Sequence, residues 1–86
     1  MLLEDVGNDV YKSWSTTKRR AEIAKLVEGY RSGLPAFILC RMTETIAGSR
    51  KRARRFLHEM MPTAERQEAA ARESGPTAEF VRDCLL

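Results

Sequence analysis

A chain of 86 residues amounts to one small domain with limited interior to bury. Hydrophobic residues make up 43%, while Gly and Pro number only five and three, which excludes a wholly disordered chain and a barrel or sandwich built on many turns. The formal net charge is +3, and eleven of the 15 cations are Arg, whose planar fork suits phosphate and carboxylate oxygens.

Residues 2–14 place Leu2, Leu3, Val6, Val10 and Trp14 on one side and Glu4, Asp5, Asn8, Asp9 and Lys12 on the other. That is the pattern of an amphipathic helix, weakened by Gly7. Ser15-Thr16-Thr17 interrupts it and supplies a cap for the next. The stripe Ile23, Leu26, Val27 and Tyr30 predicts a second helix, which Ser32-Gly33 ends. Pro35 suits the first position of a third helix and Pro62 stops it. Between them Ile38, Leu39, Met42, Ile46, Ala53, Phe56, Leu57 and Met60 fall on one stripe. This predicts a single helix over residues 35–61, about 40 Å long, with Gly48-Ser49 as the only plausible kink.

The other face of that helix changes character along its length. Ala36, Phe37, Cys40 and Ala47 make the first half apolar nearly all round, the mark of a segment buried on all sides. Lys51, Arg52, Arg54, Arg55 and His58, with Arg50 at the border, make the second half cationic. Residues 62–75 favour helix but carry no large apolar side chain, so they read as a solvated helical spacer outside the core. Gly75-Pro76 breaks it. Phe80, Val81, Cys84 and Leu85 then predict a short docking helix over 76–86, seated on its own chain or on another subunit.

The fold expectation is therefore all-α: a small helical bundle with one long central helix. Residues 1–61 form the core, 62–75 the spacer and 76–86 the docking helix. Phe37, Ile38, Leu39, Met42, Ile46, Phe56, Leu57 and Met60 supply the core and the contacts of a homodimer, which would cover the apolar half of the central helix. Cys40 and Cys84, far apart and each in apolar context, read as buried thiols rather than a disulfide. Met1-Leu2-Leu3-Glu4-Asp5 has no basic region before an apolar stretch and does not read as a secretory signal. No apolar run is long enough to span a bilayer. A cytoplasmic setting is expected, or a nuclear one in a eukaryotic host.

Charge is unevenly spread. Residues 1–14 carry three acids against one base, and 62–86 five acids against three bases; residues 15–33 carry net +3 and residues 34–61 net +4. The middle of the chain is basic and both ends are acidic. Lys18-Arg19-Arg20 falls in the first turn of the second helix, where the macrodipole already presents positive charge and a bound anion would relieve the conflict. Arg50-Lys51-Arg52-Ala53-Arg54-Arg55 sets five cations within six residues. Repulsion of that density is relieved by a polyanion, or by pairing with Glu65, Glu68 and Glu73.

Chemistry of other kinds finds little to work with. His58 is the one histidine and has no ligand partners for a metal. Glu44 and Glu59 lie about 22 Å apart along a continuous helix, too far for an acid/base pair. The expectation is a non-enzymatic protein with no cofactor and no metal. Trp14 and Tyr30 belong to apolar stripes and read as core; Tyr11 lies off its stripe and is the freest aromatic. The second and third helices resemble a helix-turn-helix in spacing alone. The residues that would read bases there, Pro35-Ala36-Phe37-Ile38-Leu39-Cys40, have no hydrogen-bonding side chains. Phosphate contact with duplex DNA or RNA, of weak sequence specificity, fits better. Its expected residues are Lys18, Arg19, Arg20, Arg41, Arg50, Lys51, Arg52, Arg54, Arg55 and His58. The alternative is a helical adaptor whose basic face and apolar tail of Phe80, Val81, Cys84 and Leu85 bind a protein partner.

Overall fold

Every boundary between helices falls on a residue that stops or caps one. The computed structural model describes residues 10–86. Residues 10–12 are helical, and five helices follow: α1 (Thr16–Arg31), α2 (Ala36–Ala47), α3 (Arg50–Met60), α4 (Thr63–Ala71) and α5 (Pro76–Leu85). No strand occurs among the described residues, and no helix among them is long and apolar enough to cross a membrane. Most of the predicted first helix lies outside the described residues. Its end places Tyr11 edge-on to Trp14, with ring centroids 4.9 Å apart, and both rings pack against the core.

The break before α1 falls where the polar trio predicts it. Ser15 Oγ accepts from the Lys18 amide at 3.1 Å, satisfying one of the unpaired N–H groups of the first turn. Ile23 and Val27 are buried on the inner face, with Leu26 and Tyr30 half-buried beside them.

The single central helix over residues 35–61 does not form. Gly48 takes a left-handed conformation (φ +97°) and ends α2, and Ser49 Oγ accepts from the Arg52 amide at 3.2 Å to start α3. The burial pattern gives the reason. α2 buries Ala36, Leu39, Cys40, Thr43, Ile46 and Ala47, whereas α3 buries Ala53, Phe56 and Leu57. On one continuous cylinder those two faces would sit about a quarter turn apart. The break rotates each face onto the same core. It also leaves Ile38 and Met42 of the expected stripe 36% and 45% exposed, so α2 is not buried on all sides.

The expected spacer is in fact packed. α4 buries Arg66, Ala69 and Ala70 and contacts α5. Alanines let its backbone approach closely, so a helix without large apolar residues still closes one side of the core. α5 docks on its own chain, against α2, α3 and α4, with Val81, Cys84 and Leu85 fully buried. Phe80 covers the seam, its ring 5.7 Å from that of Phe37. Cys40 and Cys84 are both buried and free. The neighbouring Cys84 thiol together with burial holds the Cys40 thiol far above its ordinary pKa.

Candidate functional site

The break at Gly48-Ser49 sets the cationic helix on the surface. α3 turns Ala53, Phe56 and Leu57 inward and leaves Arg50, Lys51, Arg52, Arg54, Arg55, His58 and Glu59 exposed. With an inner face of three core positions in eleven residues, the five cations share the outer arc with His58 and Glu59. Three of them begin the helix, so the macrodipole adds to their mutual repulsion.

The two edges of that arc are tied down and its middle is not. At one edge Arg50 Nε donates to Glu44 of α2 at 2.8 Å, and its Nη1 to Asp83 of α5 at 2.9 Å. The same guanidinium lies 4.6 Å over the Phe80 ring, and the two carboxylates hold its proton more tightly than usual. At the other edge Arg20 of α1 donates from Nε to Glu59 at 2.9 Å, and its guanidinium carbon is 5.5 Å from the Phe56 ring centre. Between these edges Lys51, Arg52, Arg54 and Arg55 have no ion-pair partner among the described residues.

The acidic tail pairs elsewhere. Glu65 binds Arg31 of α1 through two hydrogen bonds, at 2.8 and 2.9 Å, and that guanidinium pulls the Glu65 carboxyl below its ordinary pKa. Glu68 pairs with Arg72. Only Asp83 reaches the basic cluster.

The expected cluster Lys18-Arg19-Arg20 divides three ways and forms no common anion site. Lys18 Nζ sits 4.7 Å over Trp14, and Arg20 joins α3. Arg19 turns inward and donates to the carbonyls of Tyr11, Trp14 and Ile46, so it is a structural cation. Ile46 lies in the last turn of α2, which has no basic residue of its own there, and Arg19 supplies the positive charge a helix C-terminus favours. Arg41 is exposed on α2, beside Tyr11, Met42 and Thr45, on a different helix from the cluster.

His58 stands at the border with α4, its Nε2 3.2 Å from Arg66 Nη1. Because an arginine N–H only donates, Nε2 is the accepting nitrogen. Desolvation, then the charges of Arg66 and Arg54, hold its pKa below 6.5, so it adds no charge at neutral pH. Among the described residues no group of three His, Cys, Asp or Glu is placed to hold a metal.

Sequence reasoning missed the cleft where α1 meets α3. It has a volume of about 240 Å³ and is walled chiefly by Thr16, Arg20, Arg52, Arg55, Phe56 and Glu59. Only the density of Arg in both segments hinted at it, since 39 positions separate Arg20 from Glu59. Compared with known proteins, the chain matches no family model, no curated protein and no solved structure.

Proposed function

We propose that the chain is a small non-enzymatic nucleic-acid-binding protein, which lays α3 along the phosphates of duplex DNA or RNA with weak sequence specificity. One observation carries this reading. Lys51, Arg52, Arg54 and Arg55 lack carboxylate partners among the described residues, whereas Arg20 and Arg72 each have one and Arg31 and Arg50 each have two. Four like charges on one exposed arc repel each other, and release of counterions from a polyanion converts that arrangement into affinity. Contacts of this kind fix position without reading bases.

Fluorescence anisotropy with duplex DNA, duplex RNA and single strands, between about 50 and 200 mM salt, tests it. The logarithm of affinity should fall linearly with that of salt concentration. Replacing Arg52 and Arg55 together by Ala should weaken binding to every sequence and lower the salt slope by about 2. Binding that is absent at low salt, or indifferent to it, overturns the reading. The adaptor alternative keeps the basic face, but Val81, Cys84 and Leu85 are buried in their own chain, so of its apolar tail it has only the partly exposed Phe80 and the neighbouring Leu86 to offer. Affinity for an acidic polypeptide without affinity for nucleic acid would favour it. Of the eight residues expected to form the core and the homodimer contact, Ile38 and Met42 are exposed on α2 and are what a dimer would use. Light scattering that gives a monomeric mass removes it without touching the phosphate-binding face.

A further inference from the structure

The cleft between α1 and α3 holds an anion already, and that anion belongs to the protein. Arg20, Arg52 and Arg55 line it together with one carboxylate, Glu59. Arg19 also reaches the wall, but its donors are engaged by the carbonyls of Tyr11, Trp14 and Ile46. Arg20 is fixed at its base by Phe56 and touches Glu59 only through Nε. Its two Nη groups make no hydrogen bond among the described residues. A guanidinium fork is built for two parallel bonds to an oxyanion, so this one is half used. Arg52 and Arg55 have no carboxylate within bonding distance among the described residues.

We infer that this cleft is the seat for one phosphodiester group of the bound strand, and that Glu59 is an internal stand-in which the phosphate displaces. The inference rests on the nucleic-acid reading and adds a point of regulation to it. A carboxylate on α3 bridges to a single arginine. A phosphodiester brings two non-bridging oxygens into the same space, enough to join Arg20 to Arg52 and Arg55 across the two helices. Arg20 and Glu59 are 48% and 51% exposed, and an ion pair so open to water is weak enough to exchange. Displaced, Glu59 swings into solvent and its repulsion of the strand falls. Its presence lowers affinity overall and disfavours weakly charged ligands that cannot compete with it.

The test is a set of duplex affinities at low salt for the wild type, Glu59→Gln, Glu59→Ala, Arg20→Ala, Arg54→Ala, and Glu59→Gln combined with each of the two arginine variants. Glu59→Gln should bind about twofold to fivefold more tightly, and Glu59→Ala should repeat the gain. That gain should vanish in the Arg20→Ala background and persist in the Arg54→Ala background, because Arg54 does not line the cleft. Thermal melts establish that each variant is folded at the assay temperature. No gain from either Glu59 variant overturns the seat, as does an equal gain with and without Arg20, which would mean a general charge effect. In both cases a wild type with normal salt dependence leaves the nucleic-acid reading standing. A wild type that binds no nucleic acid at low salt overturns both.

Discussion

Arg66 does for the lower half of the bundle what Arg19 does for the upper. It is buried with no ion pair among the described residues, and donates to the carbonyls of Met61 and Leu85 and to Thr63 Oγ1. Met61 caps α3 and Leu85 ends α5, so the charge is stabilised by the negative ends of two helices. Arg66→Met keeps the apolar stem and strips the donors from buried carbonyls. It should cost about 2–4 kcal/mol, read as a lower urea midpoint at unchanged slope. His58, on the same guanidinium, gives a pH signature. Its folded-state pKa lies below the unfolded value of 6.5, so the unfolded chain takes up the proton first. Stability should be complete above pH 6.5 and decline as pH falls through that value toward the lower folded-state pKa. Thermal melts in that window should flatten in His58→Gln. Neither role was legible in the sequence. Arg66 stands in an alanine-rich run among Glu65 and Glu68, and nothing in its neighbours marks it as a charge that turns inward.

At the scale of elements, caps and breakers were readable and packing was not. Ser15, Gly33, Pro62 and Gly75-Pro76 all delimit helices where local chemistry says they should. Gly48-Ser49 was visible as a weak point, but an apolar stripe that stayed in phase across it argued for continuity. The stripe misled because it took in Ile38 and Met42 and left out Thr43, and only the neighbouring helices decide which of two adjoining faces is covered. Gly48→Ala tests how firmly the break is set. A side chain at φ +97° costs about 1–2 kcal/mol. The added Cβ would meet Arg19 Nη1 only at 3.5 Å, so backbone strain rather than crowding sets the loss, measurable by chemical denaturation. α4 shows the opposite error. A segment without large apolar residues was read as solvent-exposed, yet small side chains at the right spacing bury a helix by letting it come close.

At the scale of the molecule, the basic middle between acidic ends was plain from the sequence, and the structure sharpens where each charge goes. The C-terminal acids neutralise Arg31 and Arg72 and touch α3 only through Asp83, so the tail leaves most of the cationic arc open. The acidic residues of the first nine positions lie outside the described residues.

On the proposed nucleic-acid reading, the break at Gly48 also sets how much of the polymer α3 can contact. An uninterrupted rod would have laid its cations at the end of a 40 Å lever. The eleven residues of α3 instead span about 16 Å, which corresponds to roughly five base pairs at 3.4 Å each. If α3 lies along the phosphates as proposed, its own contact covers about half a helical repeat. Because the narrowest extent of the molecule is 23 Å, saturation of one face of a long duplex should require at least about seven base pairs per molecule, read as the stoichiometric end point of a titration at low salt. Short oligonucleotides near that length should bind almost as well per site as long ones. Such a protein would act by density along a strand, as a coating, and its effect would scale with how many copies the cell supplies.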